Sequence, residues 1–162
     1  DITPHNVFIN ENMKVMVGDL GATHIASHGT MMDHIAIGKL AYIAPEVLTG
    51  EDFNHTADIF SLGIVFWEML TLERLFYHPN EQETISRIMH KNYPLPSSKN
   101  SALGKDFDKV IGRALSFKAS GRYQSAKEMY QAVENIVKKK SGLSLDLFRM
   151  EMQIDGLEDT FS

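Results

Sequence analysis

Between Thr56 and Leu72 the chain has almost no polar side to offer. Ile59, Phe60, Leu62, Ile64, Val65, Phe66, Trp67, Met69 and Leu70 fall on nearly every face of a helix drawn through them. A helix without a polar stripe is stable in water only when other elements cover it on all sides. The apolar run Leu62–Trp67 is far short of the roughly 20 residues that span a bilayer. The segment therefore predicts a buried central pillar with the rest of a mainly α domain packed around it. At 162 residues and 43% hydrophobic the chain can supply that cover, since domains of this size bury roughly 70% of their unfolded surface.

On the amino-terminal side, Val7-Phe8-Ile9 and Val15-Met16-Val17 are short apolar runs separated by the polar Asn10–Lys14, which predicts a two-stranded hairpin. Such a hairpin brings Asn6 and Asp19 to the same end of the ribbon. From Ala22 to Lys39 neither period holds, and the Gly, Ser, Thr and His content reads as an exposed loop. Beyond the pillar, amphipathic helices are expected at about 81–91, 106–117 and 125–139. Ile85, Ile88 and Met89 share one side of the first; Phe107, Val110, Ile111, Ala114 and Leu115 recur at 3–4 spacing in the second. Ser125 is placed to cap the third, and Lys138-Lys139-Lys140 favour the negative end of its dipole. Tyr93–Ser98 reads as a helix-breaking linker. The tail 141–162 is acidic, and reads either as a linker with a short docking helix or as disordered chain.

Several function classes are disfavoured. A net charge of −5 argues against a general nucleic-acid binder, which must neutralise phosphates. Without cysteine there is no disulfide, thiolate zinc site or cysteine nucleophile. No signal-peptide pattern opens the sequence, and a cytoplasmic location is the expectation, with an anchor elsewhere in a longer protein left open.

The chemistry-bearing residues lie around the hairpin. Asp1-Ile2-Thr3-Pro4-His5-Asn6 precedes the first strand, Gly18-Asp19-Leu20-Gly21 follows the second, and Ala44-Pro45-Glu46 comes later. Carboxylates and a carboxamide so placed can hold a divalent metal beside a reacting hydroxyl. Taken singly, each tripeptide has an ordinary reading as a turn, a strand cap or a helix start with Pro in its first turn. Their order and spacing, however, resemble the catalytic loop, metal-binding loop and activation-segment end of a protein kinase. The resemblance continues through Gly38–Glu46, the family's substrate loop. It extends to Asp58-Ile59-Phe60-Ser61-Leu62-Gly63, which resembles the start of its buried central helix, and to Arg122 in Ser120-Gly121-Arg122-Tyr123. It covers residues 1 to about 140, and its details are most similar to bacterial serine/threonine kinases.

This resemblance implies a kinase-like carboxyl-terminal lobe over 1–140 with 141–162 as a tail. It implies ATP with Mg²⁺ or Mn²⁺ as cofactors and a protein as substrate. It assigns Asp1 as the residue orienting the attacking hydroxyl, and Asn6 and Asp19 as metal ligands. Gly38, Lys39 and Tyr42 belong to the substrate loop. Asp58 would accept hydrogen bonds from the catalytic-loop backbone, and Glu46 would pair with Arg122. Thr23, Ser27 and Thr30 are possible phosphorylation sites, where added charge can order a loop; their other reading is simply exposed hydroxyls.

Departures from the pattern stand at Leu20, a mild change from Phe, and at two further positions. Thr3 replaces a Lys that many serine/threonine kinases carry and that touches the transferred phosphate; Lys39 stands where most have Thr. Either Lys39 supplies the displaced cation or the subgroup tolerates both residues, and sequence alone favours the second. His24 and His28 have metal-like spacing but no third ligand, and Asn54-His55-Thr56 reads as a turn capping the central helix rather than a glycosylation site. The sequence holds no Gly-rich loop, ATP-pairing Lys, Glu partner or adenine hinge, so the 162 residues alone are expected to be inactive and to need the family's amino-terminal lobe as partner. The competing reading is a pseudokinase or truncated lobe acting as a protein-binding module.

Overall fold

The computed structural model describes residues 1–18 and 37–141. Asp19, the proposed phosphosites Thr23, Ser27 and Thr30, His24 and His28, and the tail beyond Ser141 lie outside the described residues.

Pro4 starts a 3-10 turn, Pro4–Asn6, where its missing N–H costs nothing. Strands β1 (Val7–Ile9) and β2 (Val15–Val17) then pair antiparallel, Val7 opposite Val17 and Ile9 opposite Val15. Asn10 makes the reversal: its Oδ1 accepts from the backbone of Asn12 at 3.0 Å and of Lys14 at 2.9 Å, an Asx-type turn. The Gly18 N–H donates to Asn6 O at 2.8 Å, so the chain entering β1 and the chain leaving β2 meet at one end.

After two short helices, α1 (Ile37–Leu40) and α2 (Pro45–Thr49), comes the long helix α3 (Thr56–Thr71). Glycine closes α2, because Gly50 sits at φ 72° where a side chain is strained. Asn54 caps α3, its Oδ1 accepting from Thr56 N at 2.9 Å and Thr56 Oγ1 at 2.7 Å. Helices α4 (Glu81–Met89), α5 (Pro96–Lys99), α6 (Lys105–Ala114) and α7 (Ala126–Ser141) complete the order. Ser125 Oγ accepts from Glu128 N at 3.1 Å at the start of α7.

Helix α3 lies where two hydrophobic clusters meet. One contains Phe60, Ile64 and Trp67 with Phe76, Ile88, Ile111 and Leu115; the other contains Ile59 with Phe107, Val110, Ala114, Tyr123, Met129 and Ile136. Phe60 and Phe76 stack with centroids 6.4 Å apart, and the Trp67 indole N–H donates to Pro94 O at 2.9 Å. The pillar is not covered all round: Met69 is 62% exposed, and Leu72, past its end in the left-handed conformation, is exposed as well. Neither cluster includes those two residues, and apolar surface of this kind is common on folded proteins.

Two further expectations change. The linker at Tyr93–Ser98 contains the start of a helix, α5, because Pro96 fits a first helical position and Asp108 of α6 accepts from both Ser97 N (2.9 Å) and Ser97 Oγ (2.6 Å). The loop reading of Ala22–Lys39 fails at its end, where Ile37–Lys39 open α1.

Gly63 allows α3 and α6 to touch, since a Cβ there would come within 2.9 Å of Ala114 Cβ. Gly63→Ala should therefore cost about 1–3 kcal/mol by overpacking, read as a lower urea midpoint with unchanged slope. A midpoint at or above wild type would mean that the two helices part without strain.

Candidate functional site

The 3-10 turn before β1 buries Asn6 and turns its side chain back, so that Nδ2 donates to Asp1 O at 2.8 Å. The carboxamide thus ties the two ends of the Asp1–Asn6 loop and leaves its oxygen as the end suited to a hard cation. Asp1 Oδ2 receives Lys39 Nζ at 2.5 Å, an ion pair reaching from the chain start to α1. The Asp1 backbone nitrogen lies 4.0 Å from Asp58 Oδ1, at the first turn of α3. Asp1, Asn6, Lys39 and Asp58 are therefore brought together. Among the described residues no cluster of three or more His, Cys, Asp or Glu could hold a metal ion, and Asp19 lies outside them.

The loop carrying Lys39 is fixed from below by two buried networks. In the first, Arg122 is fully buried and meets Glu46 through two bonds of 2.6 Å. Its remaining N–H groups donate to Thr56 O (3.0 Å), Phe117 O (3.0 Å) and Ser116 O (2.8 Å), and its flat face lies 4.9 Å from the Phe60 ring centroid. All five guanidinium donors are used.

The second network was not read from the sequence. Tyr42, assigned by resemblance to the substrate loop, is buried, its hydroxyl donating to Glu68 Oε2 at 2.7 Å. Arg74 Nη1 bonds the same phenol oxygen and lies 3.6 Å from Glu68 Oε2, while Leu75 N donates to Glu68 Oε1 at 3.0 Å. Ser61 Oγ adds a bond to Tyr42 O at 2.6 Å. Tyr42 thus supports the loop from beneath, leaving Gly38 exposed and Lys39 half-buried at its surface. Glu68 was hidden among the apolar residues of α3, ten positions after Asp58. Its signal would have been that a buried carboxylate needs donors, but nothing in the sequence singled out Tyr42 or Arg74 to supply them. Burial, then the Glu68 hydrogen bond and charge, push the Tyr42 phenol well above its ordinary value, against a smaller opposing pull from Arg74.

A model of the protein kinase domain matches residues 1–139. The chain belongs to the protein kinase family. Similar proteins include the serine/threonine-protein kinase PknB of Mycobacterium tuberculosis, 33% identical over 132 residues, which are 80% of this chain and 21% of that protein. The dual specificity protein kinase shkC of Dictyostelium discoideum is 32% identical over 114 residues, 67% of this chain and 22% of its own length. The tyrosine-protein kinase MasK of Myxococcus xanthus is 28% identical over 138 residues, 85% of this chain and 21% of that protein. The chain thus spans about a fifth of the length of these relatives.

Two measurements probe the buried networks. Arg122→Met should cost about 3–5 kcal/mol in urea unfolding, because it strands the Glu46 carboxylate in the interior. Adding Glu46→Leu should recover only part, since three carbonyls still lack their donor; a loss under about 1 kcal/mol in the single variant would rule the pair out as a restraint. For Tyr42 the folded state holds its proton more tightly than the unfolded state. Stability from this group is therefore full below the ordinary phenol value of about 10 and is lost as pH rises beyond it. Above that pH, wild type should lose roughly 1 kcal/mol per pH unit more than Tyr42→Phe; parallel slopes would refute the assignment.

Proposed function

We propose that the protein is a serine/threonine kinase and that residues 1–140 are the carboxyl-terminal lobe of its catalytic domain. The observation that carries this reading is the convergence of Asp1, Asn6 and Lys39 beside the buried anchor of the Gly38–Glu46 loop. Phosphoryl transfer asks a protein mainly for positioning and charge stabilisation, and these residues are equipped for both. The acceptor hydroxyl oxygen bonds to the γ-phosphorus of ATP. The bond from that phosphorus to the β,γ-bridging oxygen breaks, and its electron pair leaves with ADP. Asp1 orients the hydroxyl and takes its proton, which then passes to solvent.

Magnesium or manganese, when bound, neutralises charge on the phosphates. Asn6 Oδ1 and the carboxylate of Asp19 are the hard oxygen donors that would hold it. Support for an absent partner lobe comes from the hairpin, where Phe8 is 51% and Ile9 60% exposed; a second lobe seated there would cover them. Serine and threonine are proposed as acceptors in line with PknB, and MasK makes acceptor identity the first thing to test. Among the described residues no helix is long and apolar enough to cross a membrane; a cytoplasmic catalytic domain is proposed on the kinase reading alone.

The intact protein, incubated with MgATP and a casein acceptor, should yield phosphoserine or phosphothreonine. Asp1→Asn should reduce the rate by ~10²–10⁴-fold, and the 162-residue chain alone should give none. Phosphotyrosine as the sole product would overturn the acceptor assignment. No transfer by the intact protein under any metal would overturn the enzyme reading.

A further inference from the structure

The Asp1 carboxylate is held by a cation from a distant part of the sequence. Lys39 Nζ donates to Asp1 Oδ2 at 2.5 Å across 38 positions of chain. Within the 1–6 segment, Asn6 holds Asp1 through its backbone oxygen rather than its carboxylate. Two residues on, Thr3 is buried, and its hydroxyl has no hydrogen-bond partner among the described residues. Thr3 therefore supplies neither charge nor a bond to the carboxylate, and among the described residues the cation at Asp1 comes from the substrate loop.

The pair is also only partly buried, with side-chain exposures of 37% for Lys39 and 18% for Asp1. Exposed ion pairs add little to stability, so the consequence of this one is positional. Binding Oδ2 sets the rotation of the carboxylate and leaves Oδ1 to accept a proton. An ammonium has three donors; one is spent on Asp1, and among the described residues the others have no acceptor, so they can meet an anion arriving beside it.

We propose that Lys39 is the positioning residue of the transfer: it orients the Asp1 carboxylate and screens it from the phosphate that must approach. The inference rests on the kinase reading above. As the acceptor oxygen bonds to the γ-phosphorus and ADP leaves, two negative groups, Asp1 and the moving phosphate, come close together. Lys39 sits against one of them and can bridge to the other. It keeps its protons throughout, and the acceptor proton still passes to Asp1. Thr3 and Lys39 are then one device, in which the charge absent beside Asp1 in sequence is returned through space.

The test uses the intact protein with MgATP and casein, with steady-state kinetics for both substrates. Lys39→Met should lower kcat roughly 10–100-fold, below the ~10²–10³ of a fully sequestered donor, and change either KM by no more than about twofold. Lys39→Arg should retain most of the rate. Lys39→Cys should be as slow as the Met variant and should recover after alkylation with 2-bromoethylamine, which rebuilds an ammonium of lysine length. This chain contains no cysteine of its own, and wild type treated identically controls for any elsewhere.

An unchanged kcat in Lys39→Met overturns the proposal. So does a rise in the casein KM alone, which would make Lys39 a docking contact, or a loss that neither Arg nor alkylation restores, which would make its role structural. An inactive wild type would instead refute the kinase reading itself.

Discussion

A guanidinium with no exposed surface, all five of its donors used, is the restraint on which the rest of the described structure depends. Burying a charge is costly unless its partners are complete. Arg122 therefore forces five acceptors from distant segments into one place: two oxygens of Glu46 in α2, and the carbonyls of Thr56, Ser116 and Phe117. Those acceptors mark the end of the Gly38–Glu46 loop, the first residue of the pillar and the turn that follows α6. Phe60 closes the flat side, so even the apolar face of the guanidinium is matched. The pair specifies arrangement more than it adds net stability, since hydrophobic replacements of buried pairs are often neutral. What it prevents is any other register between the loop and α3.

From that point the site is built outward in layers. Gly63 lets α6 close on α3, and the clusters on either side fix the axis of α3. Glu68, further along the same helix, then stands beneath Tyr42 and holds the middle of the loop. Each layer is more exposed and less constrained than the one below it. The outermost layer presents Asp1 and Lys39 with Asn6 buried behind them; the proposed chemistry falls there, on a rigid scaffold, the usual division between packing and function.

The parts of this hierarchy legible in the sequence were those with a period or an ordered set of motifs. The 3–4 spacing of Phe107, Val110, Ile111, Ala114 and Leu115 marked a buried stripe, and all five are buried in α6 and its cap. The hairpin followed from short apolar runs on either side of Asn10–Lys14, where the Asn10 side chain makes the turn. Resemblance drew attention to Glu46 and Arg122, which no local pattern connects over 76 positions. Long-range polar partners were not legible: Glu68 and Arg74 have no periodic signature, and Tyr42 was marked only by its place in a loop. Pro96 misled for a related reason, because proline marks a helix start as readily as a break and the deciding acceptor, Asp108, lies on another element.

Lys39 shows why the anchor and the chemistry have to be separated. Tyr42 N donates to Lys39 O at 3.0 Å, so the two residues share one turn of backbone. One side chain points into the core, the other out to Asp1. The inward hold of Tyr42 on Glu68 is buried, and salt screens it little; the outward hold is partly solvated and weakens as ionic strength rises. A loop built this way keeps its shape while its grip on Asp1 remains adjustable. An ammonium that must meet an incoming phosphate has to be free to shift towards it, and it can do so without disturbing the segment that carries it because Tyr42, Glu68 and Arg122 have already fixed the backbone.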